Sequence, residues 1–180
     1  MARVQRYELD DPDIDLSPAI APDPLDLRVS LASIIHWADS LTLRLTVMAA
    51  VDFPVNDVSM FLVVNQLSYR GAMRPSELAE ALGTGRANLS KIAHRLDEAG
   101  LIVRVREPSD ERSTLLALTP RGREIGERIM LQAQQHVDTM LADWSEEDTT
   151  TLKRLLSRLA RDAMWMQQAP RKRIEPNRHR

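Results

Sequence analysis

Six side chains able to bond to base edges or phosphates fall within ten residues: Arg86, Asn88, Ser90, Lys91, His94 and Arg95. Leu89, Ile92, Ala93 and Leu96 recur at helical spacing through the same stretch. A helix over 86–99 that buries this apolar set turns the polar set to solvent. Arg and Lys pair with guanine edges and phosphate oxygens, Asn pairs with adenine, and Ser bonds to either. No acid interrupts the run before Asp97 and Glu98. The chemistry is that of a DNA contact, placing Asn88, Lys91 and Arg95 on one face, flanked by Arg86, Ser90 and His94.

Other chemistries find less support. Cysteine is absent, which removes disulfides, thiolate metal sites and thiol nucleophiles. Asp11, Asp13 and Asp15 resemble the start of a calcium loop, but Leu16 and Pro22 stand where that loop needs Gly and Glu. Gly83-Thr-Gly85 is too short for a phosphate loop and lacks the following Lys-Ser/Thr. His36, His94, His136 and His179 have no metal-ligand spacing. His94 reads as a phosphate neighbour. His36 and His136 read as packed or surface residues, with an effector contact as the alternative. No nucleophile–base pair or paired carboxylates stand out, so neither an enzyme nor a bound cofactor or metal is expected.

The elements that must position the polar helix follow from pattern. Apolar residues at helical spacing from Leu27 to Ala50 predict one amphipathic helix of about six turns, ended by Phe53-Pro54. Asn56 is the expected N-cap of a second helix over Asp57–Tyr69, ended by Gly71. Pro75 suits the first position of a short helix with Leu78, Ala79 and Leu82 inward, and Gly83 ends it. The polar helix follows and stops at Gly100. Period 2 then replaces period 3.6: Leu101, Val103 and Val105 alternate with Ile102, Arg104 and Arg106. A polar turn over Glu107–Ser113 leads to a strand at Thr114–Leu118, which completes a hairpin. Thr119-Pro120 opens a long helix to about Ala142, striped by Ile125, Ile129, Ala133, Val137 and Met140. Ser145-Glu-Glu-Asp148 caps a last helix. Trp37, Trp144 and Trp165 read as packing groups at a helical interface, and the eight Met residues as gap fillers, with a pocket lining by Met60 and Met140 as the alternative. Helix, tight turn, helix and hairpin make a winged helix-turn-helix, whose second helix enters the major groove.

At 180 residues, 43% hydrophobic and 28% charged, the chain suits one globular domain with decorated ends. The net charge of −2 argues against indiscriminate nucleic-acid binding, yet it hides an asymmetry. Residues 1–27 carry two Arg against seven acids, net −5, and residues 170–180 carry five Lys/Arg against one Glu, net +4. Between them, 70–125 carries ten Lys/Arg against eight acids, net +2. With Pro12, Pro18, Pro22 and Pro24, 1–26 reads as an extended acidic arm. The chain shows no apolar run of membrane-spanning length and no leader-like start, so a cytoplasmic protein is expected.

Five runs carry a family resemblance: Glu77-Leu-Ala-Glu-Ala-Leu-Gly83, Arg86-Ala-Asn-Leu-Ser-Lys-Ile92, Arg95-Leu-Asp-Glu-Ala-Gly-Leu-Ile-Val-Arg104, Asp110-Glu-Arg-Ser113 and Leu118-Thr-Pro-Arg-Gly-Arg-Glu-Ile125. Together they resemble the MarR family of bacterial transcription regulators, over roughly 27–166. The Asp-x-Arg-Ser turn and the following Leu-Thr-Pro-x-Gly are the most specific part. The resemblance implies a mainly α fold with a short β-hairpin wing, in which helices of 27–69 and 121–169 dimerise and 70–120 reads DNA. It implies a homodimeric repressor on a pseudo-palindromic operator, released by a small aromatic or lipophilic effector. It assigns DNA contacts to Arg86, Asn88, Ser90, Lys91 and Arg95, makes Arg112 the wing arginine, and gives Asp110 the task of holding it. Two positions depart from the family pattern: Arg74 stands where a Ser/Thr cap is usual, and Thr84-Gly85 where an apolar residue and Ser are common. The alternative reading is a winged-helix module that binds protein partners.

Overall fold

A computed structural model describes Ser17, Asp23, residues 25–107 and residues 110–168; at 110–112 and 166–168 it describes the backbone alone. Most of the acidic arm and all of the basic tail read from the sequence lie outside the described residues. The chain divides into two units, Met1–Asp52 and Phe53–Arg180.

The first unit holds α1 (Leu27–Asp39) and α2 (Leu41–Ala50). Asp26 caps α1 by accepting the Arg28 N–H at 2.8 Å. The single helix expected over 27–50 is broken at Ser40, which is extended at φ −63°, ψ 136°. Its hydroxyl accepts the Leu43 N–H at 3.2 Å, and its own N–H turns back to the Trp37 carbonyl. A serine that can cap a new helix competes with continuing the old one, and here the cap wins. α1 buries none of its residues, and Trp37 is exposed.

The second unit holds α3 (Val58–Arg70), α4 (Pro75–Ala81), α5 (Arg86–Glu98), β1 (Ile102–Glu107), β2 (Asp110–Leu118), α6 (Pro120–Met140) and α7 (Glu146–Gln168). Asp57, not the expected Asn56, caps α3, taking the Ser59 and Met60 N–H groups at 2.8 and 3.1 Å. Pro75 opens α4 as expected, and the missing Ser/Thr cap is replaced from inside the helix: the Arg74 N–H donates to the Glu77 carboxylate at 3.2 Å. Gly83 and Gly100 take left-handed φ of 59° and 68° directly after α4 and α5, where a side chain would be strained.

The core of this unit is Met60, Val63, Val64 and Leu67 of α3, Leu78 of α4, Leu89, Ile92 and Leu96 of α5, and Leu101, Ile102, Leu116, Ile125 and Ile129. No polar or charged residue is buried among the described residues. β1 and β2 pair antiparallel from Ile102↔Leu118 to Arg106↔Thr114, then shift register so that Glu107 faces Asp110. The second strand therefore starts four residues before the expected Thr114, which moves Asp110 and Arg112 from a turn into β2. Polar residues on a two-stranded ribbon wet on both faces give no alternation to show where pairing ends. Met73 extends the sheet: its N–H donates to the Leu116 carbonyl at 3.1 Å, and the reverse bond is 2.8 Å.

The run from Leu118 to Gly122 clamps α6 to the exit of α5. The Thr119 N–H donates to the Leu101 carbonyl at 3.0 Å, and its hydroxyl donates to the Gly100 carbonyl at 2.7 Å. The same hydroxyl accepts the Gly122 N–H at 3.0 Å, capping α6 as expected. A Cβ on Gly122 would overlap the Leu101 carbonyl. α6 ends at Met140, which is exposed. Ser145 starts α7, its hydroxyl accepting the Asp148 N–H at 3.0 Å and donating to the Asp148 carboxylate at 2.6 Å. No residue of α7 from Glu146 to Trp165 is buried.

Candidate nucleic-acid interface

α5 is built to present one surface. Leu89, Ile92, Ala93 and Leu96 are 0–6% exposed and fix the inner face. With one turn every 3.6 residues, this leaves Lys91 and His94 on the outermost ridge, with Ser90 between it and the Arg86 flank. Arg86 sits on one flank, and Asn88 and Arg95 share the other. All six are exposed. Gly85 caps the helix without a side-chain bond, so the first-turn N–H groups of α5 keep their partial positive charge without an internal anion.

The six expected contact residues differ in what already holds them. Arg86, Ser90 and Lys91 have no side-chain partner among the described residues. His94 faces Glu98 at 3.5 Å, one turn along the same helix. The Asn88 amide donates to the Thr84 hydroxyl at 2.9 Å, which ties the start of α5 to the turn before it. Arg95 leaves the outer ridge: its guanidinium donates to the second oxygen of Asp57 at 2.6 Å. Partial burial raises the Asp57 pKa, but the Met60 N–H, the Arg95 guanidinium and the Ser59 N–H together hold it below the ordinary carboxylate value.

The wing adds what the sequence reading passed over. Arg104 and Arg106 are exposed on β1, two residues apart and so on one face. The Val/Arg alternation of 103–106 is the sequence signal for this basic face. Glu107, at the end of β1, is gripped by Arg74, with the guanidinium Nε at 2.8 Å and a terminal nitrogen at 2.6 Å. The residue that breaks the family's cap pattern thus straps the wing to the start of α4. The side chains of Asp110 and Arg112 lie outside the described residues, so their expected ion pair has no geometry here. No group of three or more His, Asp or Glu stands close enough to hold a metal among the described residues. No described helix is long and apolar enough to cross a membrane.

Comparison with known proteins places this arrangement. Residues 58–114 match the model of the MarR family. The uncharacterized HTH-type transcriptional regulator YxaD of Bacillus subtilis (strain 168) is 31% identical over 101 residues, which cover 56% of this chain and 71% of YxaD. The HTH-type transcriptional regulator PecS of Dickeya dadantii is 28% identical over 159 residues, covering 87% and 89%. In fold, the chain superposes on a MarR family protein from Bacillus stearothermophilus with a TM-score of 0.61 at 18% identity, covering 76% of this chain and 95% of the other. The mainly helical winged helix-turn-helix read from the sequence holds. α4, α5 and the wing lie wholly or almost wholly inside the matched segment, and the chain belongs to the MarR family of transcriptional regulators and is not an enzyme.

Proposed function

We propose that the protein is a homodimeric, ligand-responsive repressor that binds a pseudo-palindromic operator, with α5 in the major groove of each half-site and the wing beside it. The observation that carries this is the contrast on α5 between a fully buried inner face and an outer face whose Arg86, Ser90 and Lys91 have no internal partner. Unpaired cations held on a rigid helix beside groups that bond base edges are available to a phosphate backbone outside the chain. Asn88, Asp110 and Arg112 belong to the expected set, Arg104 and Arg106 extend it along the wing, His94 stands beside it, and Arg95, also expected in the set, is bonded to Asp57.

The dimer reading rests on α1 and α7. Neither buries a described side chain, yet Leu27, Ile34, Ile35, Leu155, Leu156 and Trp165 are 48–70% exposed. Helices of this length draw their stability from a covered apolar face, and a second copy covers it. An effector has a candidate seat in the second unit: a cavity of about 300 Å³ among Leu67, Ala117, Leu118 and Met130, with Arg123 and Glu127 among its lining residues. An apolar chamber with one cation and one carboxylate in its lining suits a small lipophilic or aromatic molecule.

The test is selection of bound genomic fragments followed by titration of a labelled operator at several salt concentrations. Half-sites about 10–10.5 bp apart and a log affinity falling steeply with log salt are expected. A light-scattering mass of two chains is expected at micromolar concentration. Failure to retain any DNA in a salt-dependent way would favour the protein-binding alternative.

A further inference from the structure

The family resemblance makes Arg95 a DNA reader, but its geometry serves a different purpose. Asp57 divides its carboxylate between two helices. One oxygen takes the Ser59 and Met60 N–H groups at the start of α3, at 2.8 and 3.1 Å. The other takes the Arg95 guanidinium at 2.6 Å. The two residues are 38 positions apart in sequence, and the Asp57 side chain is only 20% exposed. Next to Arg95, Leu96 is fully buried, so the base of the arginine side chain rises from the edge of the buried stripe. Lys91, one turn earlier, has no such partner.

We propose that Arg95 is a positioning residue, which fixes the angle of the recognition helix by gripping the N-cap of α3, and does not neutralise a phosphate. This rests on the reading of α5 as the DNA-reading helix. Two bonded points define an axis: Asn88 on Thr84 holds the beginning of α5, and Arg95 on Asp57 holds its third turn. Between them the outward residues Ser90 and Lys91 are left for DNA. An arginine already satisfied by a carboxylate would have to break a charge-assisted bond before meeting a phosphate.

The experiment compares full-length wild type, Arg95→Ala, Asp57→Asn and the double variant for operator affinity across a salt series. Asn at 57 still accepts the α3 N–H groups, so the cap survives while the ion pair loses its charge. Thermal melts confirm that each variant is folded. Positioning predicts that each single change weakens binding by about threefold to fivefold. It predicts that the double variant is no weaker than either, because both lesions break one link. The salt slope stays at the wild-type value, and the preference for the correct half-site spacing over one altered by a base pair shrinks. A phosphate contact predicts otherwise: Arg95→Ala lowers the slope by about 0.9, and Asp57→Asn leaves affinity unchanged or raises it. That result would overturn the proposal while leaving the DNA reading intact. Loss of salt-dependent binding by the wild type itself would instead overturn the reading beneath it.

Discussion

Two regions of the second unit treat their polar groups in contrary ways. Between Leu118 and Gly122 the polar groups of Thr119 and Arg121 are turned onto the backbone. The Thr119 hydroxyl serves two backbone partners, its N–H serves a third, and the Arg121 guanidinium donates to the Ala99 carbonyl at 3.3 Å. On the outward ridge of α5, Lys91 has no partner among the described residues, and Ser90 and Arg86 have none beside it. The first region is half of the most family-specific part of the sequence, and its hydrogen bonds serve a backbone crossing. Its specificity reflects a tight backbone crossing, where few residue types fit. The second region is far less distinctive as a motif, because outward cations are common. What marks it is the absence of internal partners on a rigid support. The Leu118–Gly122 run holds the scaffold together, and the unpartnered α5 face is left available to a ligand.

The contrast is broken most directly at Gly122. Alanine there gains about 0.5–1 kcal/mol of helix propensity. Its Cβ must displace the Leu101 carbonyl, a backbone atom that cannot rotate away. The clash wins, and Gly122→Ala is expected to lower unfolding free energy in urea by about 1–3 kcal/mol. Operator binding by the folded fraction should be unchanged. Gly126→Ala should cost less, because its nearest neighbour is the Ser68 hydroxyl. On the functional side, Arg112→Ala should weaken operator binding by about 1–3 kcal/mol without changing the melting temperature. The loss should depend on A·T content beside the half-sites, where a narrow minor groove attracts arginine. Asp110→Ala should reproduce part of it. Lys91→Ala should weaken binding by about 1 kcal/mol across all sequences and lower the salt slope by about 0.9. If Lys91→Ala instead destabilised the fold with no effect on the slope, the outward ridge would belong to the scaffold.

Legibility in the sequence followed the range of the interaction. Gly83, Gly100, Pro75 and Thr119 act within a few residues, and local rules place them correctly. Ser40 was missed because apolar spacing continues on both sides of it, and the periodicity outweighed a small residue that could cap. Asn56 and Asp57 are adjacent caps of similar quality, and the choice between them is tertiary: Asp57 has Arg95 to hold. The wing pairing was misplaced for lack of a buried face to set the register. The fate of Arg95 and the Arg74–Glu107 strap had no local signal, since 38 and 33 residues separate the partners. The candidate recognition surface is legible as a set of residue types, but which of them already have partners is not.

The smallest expected effect sharpens the comparison through pH. The Asp57 carboxyl sits below its ordinary value in the folded chain because the Met60 and Ser59 N–H groups and Arg95 outweigh the cost of its partial burial. In the unfolded chain it titrates near about 3.9. On acidification the unfolded state therefore takes up this proton first, and stability falls with pH. The contribution is fully present above the unfolded value and disappears as pH drops through the folded one. Asp57→Asn should thus be less stable than wild type at pH 6, by under about 1 kcal/mol given that Arg95 is half exposed. The gap should close as urea midpoints are measured downward from pH 4. Arg95→Ala should narrow the acid sensitivity without abolishing it, because the two N–H bonds remain. The clamp at Leu118–Gly122 holds no group that titrates in this window, so the deficit of Gly122→Ala should be the same at both ends of the range. Equal deficits for Asp57→Asn at pH 6 and below pH 4 would mean that shape, and not charge, joins α5 to α3.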